Sequence, residues 1–282
     1  MSEFRSTDTL VVLVHGAWHS SLHWAATQRA LAGRGIASIA VDLPGHGLGA
    51  PLPSGYLQRG QPGLATEKSA LAHITMQDAT DAVTATLAGV RSRFGRVLLV
   101  AHSAGGGPAS LAAEQRPDLV DHLAFLSGFV PAGRPRFTDY ITAPENAAAV
   151  RVPTVADAAE LGAFRINPLT DDADVVAVIR RAFLNDLPAD APDSWRQFLH
   201  PDEHYDSLGA PVAVTPQRWG RIPRSYIRLT EDLALPPVTQ DLMIAEADAL
   251  TPGNPFDVRS LPGGHSPFMT RPAELAELIA DL

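Results

Sequence analysis

Cysteine is absent from the 282 residues of this sequence. Disulfide bonds, thiol nucleophiles and cysteine-built metal sites are therefore excluded. Positive charge is in deficit: 22 Lys and Arg stand against 31 Asp and Glu, a formal net charge of −9. An acidic surface disfavours nucleic acid and anionic membranes as partners and otherwise serves solubility. No apolar run approaches the roughly 20 residues of a membrane-spanning helix. The polar stretch from Met1 to Asp8 lacks the apolar centre of a secretory signal. Together these features predict a cytoplasmic location. What remains is ordinary globular composition, 45% hydrophobic and 19% charged. A chain of this length buries about three quarters of its unfolded surface, and either one domain with an insertion or two domains fits.

Short apolar runs alternate with longer segments of helical spacing. Strands are predicted at Thr9 to Val14 (TLVVLV), Ile36 to Val41, Val97 to Ala101, a run centred on Leu123 to Leu126, Ser225 to Leu229 (SYIRL) and Phe256 to Leu261. Helices are predicted at about Ala25 to Ala32, Met76 to Arg91, Pro108 to Arg116, Pro237 to Ala247 and Pro272 to Leu282. In the second of these, Met76, Ala79, Val83, Leu87 and Val90 share one face. Strand alternating with helix argues for a parallel sheet covered by helices. Strands covered on both sides are apolar without alternation. The predicted fold is therefore α/β, a mostly parallel six-stranded sheet with helices on both faces. Two segments break the rhythm. Ala50 to Thr66 is rich in Pro and Gly and reads as a long loop. Pro131 to about Ala210 has no clear strand but holds helical patterns broken by prolines, such as Ala173 to Leu184. The expectation is a helical lid at 131–210 inserted into a core made of 1–130 and 211–282.

The most informative stretch runs from Arg96 to Gly107. An apolar β-branched run ends at Ser103, flanked by small residues and followed by a helix-compatible segment. This is the sequence form of a nucleophile elbow, strand then sharp turn then helix, with the hydroxyl held out at the turn. Crowding at such a turn demands small residues two before and two after the serine, here Ala101 and Gly105. Ala101 departs from the usual G-x-S-x-G by one methyl group.

A serine hydroxyl near neutral pH needs a base, and the base needs an orienting acid. In open parallel sheets functional groups gather at the carboxyl ends of strands. After the last predicted strand comes Pro262-Gly263-Gly264-His265-Ser266-Pro267, which makes His265 the candidate base. After the preceding strand comes Thr230-Glu231-Asp232, which offers Asp232 as the acid with Glu231 adjacent as the alternative. Asp241 and Asp248 are weaker candidates on or after the next helix. The turn His15-Gly16-Ala17-Trp18-His19 follows the first strand. Its Ala17 N–H, with that of Ala104 after the serine, supplies two donors for an oxyanion hole.

With these pieces in hand, the chain resembles the α/β-hydrolase superfamily. The segments from Val12 to His19 (VLVHGAWH), Asp42 to Gly47 (DLPGHG), Ala101 to Gly106 (AHSAGG) and Thr230 to Pro236 (TEDLALP) occur in family order. Within that superfamily it is most similar to the branch of plant methyl salicylate esterases and hydroxynitrile lyases. The match covers roughly residues 8–130 and 222–282, and the lid matches poorly. The resemblance implies hydrolysis of a carboxylic ester with Ser103, Asp232 and His265 as the triad. The lyases typically carry a threonine after the first-strand histidine and a lysine after the catalytic histidine. Here those positions are Gly16 and Ser266, which favours an esterase. Ser103 itself excludes relatives with an aspartate nucleophile.

Several other residues suit plainer roles. His200 and His204 have helical metal spacing, but the segment is not H-E-x-x-H and Pro201 puts it at a helix start at best, so no metal is expected. His102 reads as structural. The glycines around His46 and at 105–107 lack dinucleotide spacing. Trp18, His19 and Phe129 are the expected pocket residues; His23 shares a spacing with His19. Phe137, Phe164 and Phe183 suit either an apolar pocket or lid packing. The leading expectation is a cofactor-independent serine esterase for a small to medium apolar ester, such as a methyl ester or lactone. A lyase, cyclase or acyltransferase using the same triad, or a non-catalytic ligand receptor, are the alternatives. The expected partner is a small-molecule ester, and a homodimer is left open.

Overall fold

The computed structural model describes residues 8–282, so the polar start, apart from Asp8, lies outside the described residues. The strands are β1 (Thr9–Val14), β2 (Ala37–Val41), β3 (Arg96–His102), β4 (His122–Leu126), β5 (Ala163–Arg165), β6 (Asp202–His204), β7 (Arg224–Leu229) and β8 (Asp257–Leu261). Six of them form one sheet in the order β2-β1-β3-β4-β7-β8, with every neighbouring pair parallel. Each strand expected in the core occurs, with its ends shifted by no more than about one residue.

The helices of the core are α1 (Ala25–Gly33), α2 (Met76–Arg91) and α3 (Gly106–Gln115). Between β4 and β7 lie α4 (Phe137–Ile141), α5 (Ala158–Leu161), α6 (Ala173–Phe183) and α7 (Asp206–Gly209), and the chain closes with α8 (Pro237–Leu250), α9 (Pro267–Thr270) and α10 (Pro272–Ala280). The period-2 geometry of a strand sends alternate side chains to opposite faces. Leu10, Val12 and Val14 of β1 join Met76, Val83 and Leu87 of α2 in one apolar layer. Val11 and Leu13 join Leu31 of α1 and Leu275 and Ile279 of α10 in the other. This double cover explains the unbroken TLVVLV run. The edge strands β2 and β8 are covered less, and Ile39 and Val258 are exposed. The predicted face of α2 is buried as expected, with Val90 partly covered. A capping box starts that helix: Thr75 accepts from the Asp78 N–H and Asp78 accepts from the Thr75 N–H. Among the described residues, no helix is long and apolar enough to cross a membrane.

The segment between β4 and β7 holds a small apolar cluster of its own, built on Ile166, Ile179, Phe183 and Trp195. It also contains a feature the sequence reading missed. β5 and β6 pair antiparallel, Phe164 opposite Glu203, where no strand was expected and where His200 to His204 read as a helix start. Each strand is only three residues long and carries charged side chains, so neither alternation nor an apolar run marks it. Those charges are buried because they are paired. Arg165 Nε and Nη2 donate to the two Asp202 oxygens at 2.6 and 2.7 Å, and Nη1 donates to the Leu64 and Glu67 carbonyls at 2.7 and 2.8 Å. The long Pro/Gly-rich loop is thereby tied to this strand pair. Removing one partner strands the other as a buried charge. Arg165→Met is accordingly expected to lower unfolding free energy by about 3 kcal/mol in urea titration. A change below about 1 kcal/mol would contradict this account of the pair.

Candidate active site

β3 delivers Ser103 to the carboxyl edge of the sheet. One 3₁₀ turn (Ser103–Gly105) leads directly into α3. Ser103 has φ +50°, a left-handed conformation that costs an L-residue on the order of 1 kcal/mol. The turn is held by Phe129, whose N–H donates to the Ser103 carbonyl at 2.9 Å. Glycine is required around it. A Cβ at Gly105 would overlap the His15 carbonyl oxygen, and one at Gly16 would stand 2.6 Å from Ser103 Cβ. The Ala101 methyl, by contrast, packs into the buried apolar layer.

The three residues from distant parts of the chain meet at this edge. His265 Nε2 is 3.1 Å from Ser103 Oγ, and His265 Nδ1 is 2.7 Å from Asp232 Oδ2. A carboxylate only accepts, so Nδ1 carries the proton and Nε2 is free to accept from the serine hydroxyl. Asp232 is held on all sides. Its Oδ1 accepts from the Ala234 and Leu235 N–H groups, both at 2.8 Å, and its Oδ2 also accepts from the Ser127 hydroxyl at 2.7 Å. Glu231 points to solvent, and its backbone carbonyl takes Asn185 instead. Asp241 pairs with Arg228, and Asp248 caps the Phe256 N–H. His102 donates from Nε2 to the His265 carbonyl at 2.9 Å. Burial pushes the His102 pKa well down, so it acts as a neutral brace for the backbone of its neighbour. Ser127 was not foreseen, although it follows β4 at the strand end where functional groups gather.

Behind the serine, the His19 N–H donates to the Gly16 carbonyl at 3.2 Å and closes a tight turn around Ala17 and Trp18. Ala17 and Trp18 line the cavity beside Ser103 and His265. Ala104 is the second residue of the helical start, where backbone N–H groups have no partner within the helix. The dipole of α3 adds positive potential there.

Two expected pocket residues lie elsewhere. His19 is buried behind the turn, donating from Nδ1 to the Ala17 carbonyl at 2.7 Å and packing on His23, His102 and Phe268. Burial lowers its pKa well below the ordinary value, and that of His23 is pushed down to about 3 by the same cause. Phe129 is fully buried against Phe137 and Tyr140, because the chain at 129 is pinned by Ser103 and Gly106. Of the aromatic candidates, Phe137, Phe164 and Phe183 do face the cavity.

That cavity has a volume of about 290 Å³. The sheet edge supplies its reactive floor, and the segment between β4 and β7 supplies apolar walls, including Ile141, Val150 and Leu208. Among the described residues, no group of three or more His, Asp or Glu side chains is arranged to hold a metal ion. His200 and Glu203 instead serve backbone amides, His200 Nε2 accepting from Gly47 and Glu203 from Trp18.

The α/β-hydrolase family model matches residues 11–278. The chain belongs to the α/β-hydrolase family. This match runs through the inserted segment, which the sequence motifs alone had left out. The chain is similar to a pyrethroid hydrolase of Sphingobium wenxiniae, 28% identical over 276 residues, covering 98% of this chain and 88% of that protein. It is also similar to Methylesterase 7 of Arabidopsis thaliana, 24% identical over 279 residues, covering 96% of this chain and 95% of that one. That match agrees with the resemblance to plant methylesterases drawn from the motifs. Among solved structures, a pyrethroid hydrolase from Sphingobium faniae superposes with a TM-score of 0.72 at 26% identity, covering 97% of this chain and 96% of that chain.

Proposed function

We propose that this α/β-hydrolase cleaves carboxylic esters of compact apolar molecules through an acyl-enzyme on Ser103, without a cofactor. The observation that carries the reading is the chain of contacts from Asp232 through His265 to Ser103, opening onto an apolar cavity. The names of its relatives, a pyrethroid hydrolase and a methylesterase, support the same reaction class.

In the reaction, Ser103 Oγ attacks the ester carbonyl carbon while His265 Nε2 takes the hydroxyl proton. The carbonyl oxygen becomes an oxyanion and is stabilised by the N–H groups of Ala17 and Ala104. His265 then returns its proton to the leaving alkoxide as the C–O bond breaks, and the alcohol departs. Water enters, loses a proton to His265, and attacks the acyl carbon. The serine leaves with that proton and the carboxylic acid is released. Asp232 stays ionised and stabilises the imidazolium formed in each half-reaction.

Residues 131–210 act in this reading as a cap that shapes the substrate. The cavity volume lies at the low end of small-molecule sites, which span roughly 300–1,000 Å³. Apolar walls select an uncharged ester with modest acyl and alcohol groups. Methyl and p-nitrophenyl esters of short aliphatic and aryl acids, with lactones, form the test panel. Turnover in H₂¹⁸O is expected to place one ¹⁸O in the acid product. Ligand binding with no turnover across the panel, or carbon–carbon cleavage without ester hydrolysis, would contradict the reading. Acyl transfer to added alcohols in preference to water would reassign it to transferase chemistry.

A further inference from the structure

Trp18 has φ +59°, a conformation that a bulky L-residue adopts only when its surroundings impose it. Beside the two His19 bonds within the turn, three further bonds to Trp18 come from the inserted segment. The Trp18 N–H donates to Glu203 Oε2 at 2.9 Å, and the indole N–H donates to the Phe164 carbonyl at 2.9 Å. The Trp18 carbonyl accepts from the His200 N–H at 2.8 Å. Phe164 and Glu203 are direct partners across β5 and β6, so one short strand pair, with His200 just before it, grips the turn through side chain and backbone together.

Glu203 is only 2% exposed, and a carboxylate so placed needs positive partners. His46 Nε2 lies 3.1 Å from its Oε2; the His204 ring, whose pKa burial lowers, lies farther off, with Nε2 3.6 Å from Oε1. Burial opposes the charge on both Glu203 and His46. Their mutual attraction outweighs it, holding the carboxyl below its ordinary range and the His46 imidazole above. A small void of about 10 Å³ behind the turn is bordered by Gly16, Ala17, Ala104 and Glu203. Glu203 thus shares the lining of this void with both residues of the proposed oxyanion hole, and it does not border the substrate cavity. The mechanism above gives Glu203 no role.

We propose that Glu203 is a positioning residue for oxyanion stabilisation: it takes the Trp18 N–H and so locks the Gly16 to His19 turn with the Ala17 amide facing the ester oxygen. This rests on the serine-esterase reading. A turn with positive φ at its third residue converts to other turn types by rotating its central peptide, here the Ala17 carbonyl and the Trp18 N–H; the Ala17 N–H lies on the adjoining Gly16–Ala17 peptide, and its aim is kept only while the turn as a whole keeps this form. An anion bonded to the Trp18 N–H favours the observed orientation, because charge-assisted bonds are roughly twice as strong as neutral ones. The inserted strand pair thus completes the catalytic edge in addition to walling the cavity.

The test compares Glu203→Leu and Glu203→Gln with the unaltered protein, using p-nitrophenyl butyrate turnover and inhibition by a trifluoromethyl ketone, whose hemiketal oxyanion mimics the tetrahedral intermediate. Glu203→Leu is expected to lower kcat about 100-fold, the scale of losing one oxyanion donor, with KM within about threefold. The ketone's Ki is expected to rise in proportion. Gln keeps a neutral acceptor for the Trp18 N–H, so Glu203→Gln is expected to lower kcat by only about tenfold. Circular dichroism reports whether each variant folds. If Glu203→Leu does not, Glu203→Gln decides: a proportionate change in kcat and Ki supports the assignment, and wild-type values for both overturn it. A folded Glu203→Leu with kcat within about threefold of wild type, or with the loss confined to KM, also overturns it. Ser103→Ala in the same assay separates the two readings. If that variant turns over normally, the serine mechanism fails, and with it the basis for a role of Glu203.

Discussion

Ser103→Ala should lower kcat for ester hydrolysis by about 10⁶-fold, to the residual rate of substrate binding and oxyanion stabilisation alone. The size follows from the arrangement. His265 Nε2 has the serine hydroxyl as its partner at 3.1 Å, and without that oxygen no covalent intermediate forms. The fold should be unaffected, because Ser103 Oγ bonds only to His265 among the described residues, and alanine tolerates the elbow no worse than serine does. Steady-state kinetics with p-nitrophenyl butyrate, alongside thermal unfolding, checks both halves. A folded variant retaining more than about one hundredth of wild-type kcat would contradict the role, since the nucleophile and base act as a unit.

Asp232→Asn should lower kcat by about 10⁴-fold through the wrong imidazole tautomer. Both Ala234 and Leu235 donate to Oδ1, so the carbonyl oxygen of an asparagine is drawn to that side. Its NH₂ group then faces His265 Nδ1, where the carboxylate accepted before. The ring responds by accepting at Nδ1 and carrying its proton on Nε2, and that nitrogen can no longer take the serine proton. The loss should fall in kcat and leave KM close to wild type, because Asp232 does not border the cavity. The parallel substitution Glu231→Gln should change kcat by less than about threefold, as expected of a solvent-facing side chain. Equal losses in the two variants would mean that the acid has been misassigned.

The contrast between these neighbours shows what a linear reading resolves. Glu231 and Asp232 follow the same strand and differ by one methylene, so spacing alone left both open. What turns Asp232 inward is local: its Oδ1 accepts the amides two and three residues on, an Asx-type turn that a glutamate is too long to close. The core was legible because the physics is local and repeated. β1 from Leu10 to Val14 and β3 from Val97 to Ala101 are unbroken apolar runs as helices cover both faces, and the elbow demands small residues at fixed offsets. The β5–β6 pair was not legible because its stability lies in partners far along the chain. Arg165 needs Asp202 and the carbonyls of Leu64 and Glu67. Glu203 needs Trp18 and His46. Before folding, Asp202-Glu203-His204 reads as a solvated polar stretch. His19 is expected in the pocket because it adjoins the oxyanion turn, but chain neighbours at a sharp turn point in different directions; Phe129 is expected there only as an apolar aromatic, which suits a buried packing position equally well. Ser127 needed only the strand-end rule applied to β4 as it had been to the others.

The most direct test of the central claim is to treat the protein with a fluorophosphonate, follow residual esterase activity, and map the adduct by tandem mass spectrometry. The account predicts one adduct per chain, on the oxygen of Ser103, with activity lost in proportion to labelling. An adduct on another residue at full inactivation, or complete labelling of Ser103 with esterase activity retained, would contradict it.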